Sequence, residues 1–132
     1  MKILIINAQY YKSYNSILLS SAKKYLNKKN ITYSIINTPG VFEIPVTIAK
    51  YIKKYDGFIA LGCVIKGQTP HFDLICKATF NGFINLSILN KKPIGNGVIT
   101  ALNKVQAKKR CKSKGLESAR AVFSVLHNAP TK

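Results

Sequence analysis

Short apolar runs alternate along the chain with longer segments whose apolar residues recur every three or four positions. The short runs are typical of strands buried on both faces, and the longer segments of helices with one buried side. The predicted strands span residues 2–7, 31–37, 58–61 and 94–100, the last interrupted by Gly95 and Gly97. The predicted helices span residues 16–28, 45–54, 70–90, 103–112 and 117–126, with a break at 113–115 and a frayed tail from His127.

This alternation predicts an α/β fold in which right-handed crossovers join parallel strands and helices cover both faces of one sheet. A chain of 132 residues is long enough for a proper core, and we expect a single domain over residues 1–132. Ligands of such sheets bind outside the carboxyl ends of the strands. We therefore expect the functional residues within 7–11, 37–43, 62–71 and 96–100.

The segment around the third strand carries the strongest chemical signal. Thr69 and Pro70 predict a helix start, with Thr as N-cap and Pro at the first helical position, and Gly62 and Gly67 loosen the chain before it. The free N–H groups of that helix would form an anion site at the end of the strand. His71 falls in its first turn, where the imidazole tends to stay neutral and can give and take protons. From the residue alone, a surface histidine without a role is the alternative.

Two motifs together identify a family. Residues 61–73 read Leu-Gly-Cys-Val-Ile-Lys-Gly-Gln-Thr-Pro-His-Phe-Asp, and residues 39–45 read Pro-Gly-Val-Phe-Glu-Ile-Pro. In this order and at this distance they closely resemble the signatures of the lumazine synthase family, and the resemblance covers residues 2–126. It implies a flavodoxin-like three-layer α/β/α sandwich with a four-stranded parallel sheet.

The resemblance also implies the reaction. Members of the family condense 5-amino-6-(D-ribitylamino)uracil with 3,4-dihydroxy-2-butanone 4-phosphate to give 6,7-dimethyl-8-ribityllumazine, phosphate and water, in the riboflavin pathway. No metal or organic cofactor is needed. The family builds its sites between neighbouring subunits of a pentamer, so a homopentamer or a multiple of it is expected here.

Residue by residue, the resemblance makes His71 the proton shuttle. Arg110 and the turn of Gln68 and Thr69 would hold the phosphate, and Lys114 would join the substrate-binding residues. The pyrimidine side would be held by Tyr10, Val41, Phe42, Glu43, Cys63, Val64, Ile65 and Asn96, with Tyr11 as the alternative to Tyr10 for stacking on the ring.

The residues alone leave several of these roles open. Arg110 has the planar fork that suits phosphate, but it could equally be an ordinary exposed arginine beside Lys108 and Lys109. Glu43 could simply satisfy backbone N–H groups at a helix start. Cys63 is expected to line the pocket with its backbone and not to act as a nucleophile.

The formal net charge of +17 raises the prior for nucleic-acid binding. However, only Arg110 and Arg120 among the 21 basic residues are arginines, whereas nucleic-acid readers usually rely on arginine. We therefore favour a solvated lysine surface that attracts anionic substrates, and we do not expect a nucleic-acid partner.

The cysteines and the apolar stretches bear on the compartment. Cys63, Cys76 and Cys111 lack Cys-x-x-Cys spacing, so we expect free thiols in a reducing compartment and no structural metal. No apolar run approaches the length of a membrane span, and the apolar run at residues 3–6 is too short for a signal-peptide core. These features favour the cytoplasm and no membrane partner.

Overall fold

A computed structural model describes residues 1–131. Strands and helices alternate as the sequence predicts, with one additional short 3-10 helix. The elements in chain order are β1 (Lys2–Ala8), α1 (Lys12–Lys28), β2 (Thr32–Thr38), the 3-10 helix (Val41–Glu43), α2 (Ile44–Tyr51), β3 (Gly57–Ile65), α3 (His71–Asn90), β4 (Ile94–Ala101) and α4 (Lys104–His127).

The four strands form one parallel sheet in the order β2-β1-β3-β4. Helices α1 and α4 cover one face, where Leu18 and Cys111 belong to a fully buried cluster. Helices α2 and α3 cover the other face, where Ile48 and Phe83 are buried against the sheet. The central strand β3 is buried from Gly57 to Cys63 because both of its faces are covered. The prediction of a flavodoxin-like three-layer α/β/α sandwich is therefore confirmed.

The predicted break at residues 113–115 is wrong, because α4 is one continuous helix from Lys104 to His127. Gly115 lies buried in the middle of this helix. A Cβ atom there would collide with the carbonyl oxygen of Leu18 and lie 3.0 Å from Cβ of Ser21, both on α1. The glycine thus permits the close approach of two helices and does not mark a turn.

Close approach of neighbouring elements also explains Gly95 and Gly97, which were expected to interrupt the fourth strand. Strand β4 is continuous, and a Cβ at Gly95 would collide with the backbone of α4 at Ser118. The predicted tail also begins one residue later than expected. His127 is the last residue of α4, and its ring centroid lies 4.2 Å from that of Phe123.

The sequence did not predict the 3-10 helix at Val41–Glu43, which sits on the carboxyl end of the sheet. Gly62 was expected to loosen the backbone, but it lies within β3 and has no positive φ. A Cβ at Gly62 would collide with Cγ1 of Val41 and lie 3.2 Å from Cβ of Ala8. Gly62 therefore makes room for the 3-10 helix.

Three further features concern partners and compartment. No helix within residues 1–131 is both long and apolar enough to cross a membrane. Over the same residues, no three His, Cys, Asp or Glu side chains gather where they could hold a metal ion. The three cysteines are free thiols, two of them buried.

Candidate active site

A cavity of about 320 Å³ opens at the carboxyl end of the sheet, between the end of β3, the 3-10 helix, the loop after β1 and the start of α3. Both signature motifs contribute to it although they are separate in sequence. The structure brings nine of the predicted site residues together there: Tyr10, Val41, Phe42, Glu43, Cys63, Val64, Ile65, Thr69 and His71.

The end of β3 forms part of the cavity lining through Cys63, Val64 and Ile65. The pKa of the Cys63 thiol is raised to about 12, mainly by burial and in addition by the nearby Cys111 thiol, while the charge of Arg110 opposes the shift. The thiol is therefore protonated near neutral pH. Because the thiolate is the nucleophilic form, this environment argues against covalent catalysis by Cys63.

Hydrogen bonds fix the 3-10 helix at the cavity wall. The backbone N–H of Gly40 donates to Oε1 of Glu43 over 3.0 Å. The hydroxyl of Thr38 donates to the carbonyl of Gly40, also over 3.0 Å, and the hydroxyl of Thr47 donates to the carbonyl of Glu43 over 2.8 Å. Glu43 therefore satisfies a backbone N–H, as its alternative interpretation requires, and still lines the cavity. A carboxylate held in this way is well oriented to accept hydrogen bonds from a ligand.

Two tyrosines after β1 line the same cavity. Their rings meet edge to face, with centroids 4.9 Å apart. Tyr11 is half-buried and also packs against Tyr14, whereas Tyr10 is 76% exposed. Burial, followed by the proximity of Tyr10, raises the pKa of Tyr11. Tyr10 is thus the ring with a free face for a flat heterocycle.

His71 is the first residue of α3, exposed at the cavity rim. Its backbone N–H donates to the hydroxyl of Thr69 over 3.4 Å. The prediction of Thr69 as the N-cap is wrong, because α3 begins one residue later than predicted and Pro70 takes the N-cap position. The Thr69 hydroxyl therefore reaches only the first helical N–H and not the second or third, as a capping side chain would. Phe72 and Ile75, on the same first turn, also line the cavity. Neither was predicted as a site residue. Their positions one and four residues after His71, in the first turn of the same helix, were the available signal that they could line its site.

Four predicted residues lie outside this cavity: Gln68, Asn96, Arg110 and Lys114. Gln68 sits in the loop between two cavity residues, Gly67 and Thr69, but its own side chain does not line it. The loop therefore lines the cavity with Gly67 and Thr69, and the side-chain amide of Gln68 stays outside it.

Arg110 lies near the rim and not in the cavity. Its guanidinium Nη1 donates to the carbonyl of Thr100 over 2.8 Å, and Thr100 is in register with Val64 of the cavity lining. Lys114 follows one helical turn later and is half-buried. These two residues share a side of α4 at the edge of the sheet.

Asn96 lies farther from the cavity in its own chain. It pairs with Ala60, and its Oδ1 accepts a hydrogen bond from the N–H of Val98 over 3.0 Å. The distance along the strand to Thr100 is about 13 Å at the usual rise per residue. Asn96 is exposed on the edge strand β4.

Comparisons with known proteins identify the family of the chain. The family model described as 6,7-dimethyl-8-ribityllumazine synthase matches residues 1–129. A protein of that name from Agrobacterium fabrum is 37% identical over 135 residues, which cover 94% of this chain and 91% of the relative. Namesakes from Afipia carboxidovorans and Bartonella bacilliformis are 35% and 36% identical, covering 95% and 94% of this chain and 83% and 87% of their own lengths. Matched along nearly its whole length, the chain belongs to the 6,7-dimethyl-8-ribityllumazine synthase family.

Proposed function

We propose that the protein condenses 5-amino-6-(D-ribitylamino)uracil with 3,4-dihydroxy-2-butanone 4-phosphate to form 6,7-dimethyl-8-ribityllumazine. One observation carries this proposal: the two family motifs, separate in sequence, converge on one cavity at the carboxyl end of the sheet. Open parallel sheets bind their ligands at this end. The cavity volume also lies in the range of small-molecule sites.

The chemistry requires positioning and proton transfer. The amine of the pyrimidine attacks the ketone, and loss of water gives an imine. Phosphate is then eliminated, and ring closure with loss of water gives the lumazine. His71 at the rim moves the protons, while the cavity holds the two reactants in contact. No step needs a metal or an organic cofactor.

The pyrimidine would lie against the end of β3 and the 3-10 helix. Tyr10 stacks on its flat ring, because this tyrosine is the more exposed of the pair. Glu43 accepts hydrogen bonds from its N–H or hydroxyl groups, while Val41 and Phe42 enclose it. The backbone between Cys63 and Ile65 supplies the remaining contacts.

The phosphate would be bound by Thr69 and the loop backbone at Gln68 of one chain and by Arg110 of a neighbouring chain. Within one chain Arg110 bonds to a backbone carbonyl and does not line the cavity. Lys114 and Asn96 also lie outside it, so we assign them to the same neighbour's contribution. Arginine suits this role because its planar fork matches a phosphate.

An oligomer is the natural setting for such a shared site. Helix α3 exposes the apolar side chains Leu74, Ile84, Ile88 and Leu89, each by more than half of its surface. Apolar side chains exposed to this extent are available to a partner. We propose a homopentamer or a multiple of it, the number five coming from the family resemblance. The free thiols fit a cytoplasmic enzyme.

The reaction is tested by incubating the purified protein with both substrates. We expect lumazine fluorescence and inorganic phosphate to appear in equal amounts, and neither to appear when one substrate is omitted. Phosphate release without lumazine would indicate a phosphatase-like reaction and contradict the proposal.

The shared site is tested by mixing two inactive variants. His71→Ala and Arg110→Ala subunits, dissociated together and reassembled, should regain part of the activity, because some sites receive both intact residues. Each variant reassembled with itself is the control and should stay inactive. Light scattering should first show a mass of at least about 73 kDa, for five chains of 14.6 kDa. An oligomer without rescue would place both residues on one chain.

A further inference from the structure

A second groove, of about 900 Å³, runs between the outer sides of α1 and α4. It shares no residue with the cavity that we assign to the reaction. Five cations from the two helices line it, and all five are exposed: Lys24, Lys28, Lys109, Lys112 and Arg120. None of them has a role in the proposed mechanism.

No acidic residue lines this groove, although Glu117 lies on α4 beside the lining residue Leu116. The spacing of the cations adds to the unbalanced charge. Lys24 and Lys28 are four residues apart on α1, and Lys109 and Lys112 are three apart on α4, so each pair lies on one side of its helix. Like charges at these spacings destabilise a helix. A bound anion would relieve this repulsion.

The dimensions of the groove suit a strand of phosphates. Its lining on α1 extends from Ser16 to Lys28, which is about 18 Å at the helical rise per residue. A stacked nucleic-acid strand carries a phosphate roughly every 3.4 Å, so about five phosphates fit along that length. The groove is the surface furrow above two packed helices, whose axes lie about 8–10 Å apart; a furrow of that width can hold a single strand lying along it and is too narrow for a duplex.

The remaining lining also fits nucleotides. Tyr25, Ile17 and Leu116 provide apolar surface that a sugar or the edge of a base can cover. The ring of Tyr25 is half-buried and packs edge to face against Phe123, so only its exposed part is available to a nucleotide. Most of the cations are lysines, which bind phosphate as point charges without the bidentate geometry that reads bases. The groove is therefore equipped to bind a backbone and not a sequence.

We propose that this groove binds single-stranded nucleic acid without sequence preference. From the sequence alone we favoured a solvated lysine surface and expected no nucleic-acid partner. The structure alters that judgement because it gathers five cations from distant parts of the chain into one groove that no carboxylate lines. The binding is independent of the condensation reaction, since the two sites share no residue.

The test measures fluorescence anisotropy of a labelled oligothymidylate of about twelve nucleotides, titrated with the whole protein over a series of salt concentrations. Neutralising five phosphates of a single strand predicts a slope of about −3.5 in a plot of log association constant against log salt. Binding should therefore weaken roughly a hundredfold between about 50 and 200 mM salt.

A groove variant and a matched control locate the binding. The groove variant replaces the five cations with glutamine, which preserves helix propensity. Its slope should fall close to zero, and each single replacement should reduce the slope by about 0.7, which keeps the test valid if the quintuple variant folds poorly. The control removes the same charge from exposed lysines on other elements: Lys50→Gln, Lys53→Gln, Lys54→Gln, Lys77→Gln and Lys91→Asn.

The control variant should keep the slope of the natural protein, and both variants should form lumazine at the natural rate. Equal loss of binding in the two variants would show diffuse charge attraction and overturn the proposal. Absence of binding at about 50 mM salt would also overturn it. Polyglutamate that competes as strongly as the oligothymidylate would instead make this a site for acidic peptides.

Discussion

Replacing Gly115 with alanine should destabilise the protein, although alanine is the better helix former. The new Cβ would collide with the carbonyl oxygen of Leu18 and lie 3.0 Å from Cβ of Ser21. Overpacking of this kind costs about 1–3 kcal/mol, and the upper value applies because a backbone carbonyl inside α1 cannot rotate away. The higher helix propensity of alanine stabilises the folded state by about 1 kcal/mol and offsets part of this cost. The net loss in free energy of unfolding is therefore about 2 kcal/mol.

Thermal unfolding at one fixed protein concentration measures this loss, because assembly makes the midpoint depend on concentration. A loss of about 2 kcal/mol lowers the midpoint by roughly 8 °C in a chain of this size. Gly82→Ala is the matched control, since it gains the same propensity on α3 but meets only the ring of Pro45, at 3.0 and 3.1 Å. That ring can shift, so the control should change stability by less than about 1 kcal/mol. A Gly115→Ala protein as stable as the natural one would refute the close-approach explanation for this glycine.

Three further predictions concern individual side chains. His71→Ala should lower kcat by about 10²–10⁴-fold with a smaller change in KM, and an unchanged kcat would remove His71 from the mechanism. Arg110→Lys should raise KM for the butanone phosphate far more than for the pyrimidine, because lysine lacks the planar fork; equal effects on both would count against a phosphate contact. Burial raises the pKa of Cys63 from 9.0 to about 12, so iodoacetamide should modify this thiol slowly below pH 9. Stability should fall as the pH rises from about 9 towards 12, because the thiol ionises in the unfolded chain first, and Cys63→Ala should reduce that fall.

The sequence was sufficient for the order and type of the main elements. Buried strands such as β1 and β3 appear as continuous apolar runs because both of their faces are covered. The convergence of the two motifs on one cavity also followed, because parallel strands bring their carboxyl ends to the same edge of the sheet.

The glycines were the main source of error, because a glycine that breaks a helix and one that admits a neighbouring helix look alike in sequence. Gly115, Gly95 and Gly62 were all taken as interruptions. Each lies inside a regular element, at a point where another part of the chain approaches too closely for a Cβ. Only the packing of distant segments distinguishes the two cases.

The candidate site was predictable where its residues are local in sequence. The positions of Asn96, Arg110 and Lys114 relative to the cavity depend on the lengths of β4 and α4, which motif matching does not supply. Likewise, the basic groove depends on α1 and α4 being neighbours, and net charge alone could not reveal it.

The most direct test of the account asks whether lumazine forms in the cavity. Gly67 lines it, a Cβ there meets nothing within 4 Å, and its φ is not positive, so a side chain can be added at this position without a Cβ clash or backbone strain. Gly67→Trp would place an indole in a space of about 320 Å³, and Gly67→Ala is the matched control.

The measurement is the rate of lumazine formation by the natural protein and the two variants, with thermal midpoints as a check on folding. We expect lumazine from the natural protein and from Gly67→Ala, and a loss of about 10²-fold or more in Gly67→Trp at an unchanged midpoint. A natural protein that forms no lumazine, or a Gly67→Trp variant that forms it at the natural rate, would contradict the account.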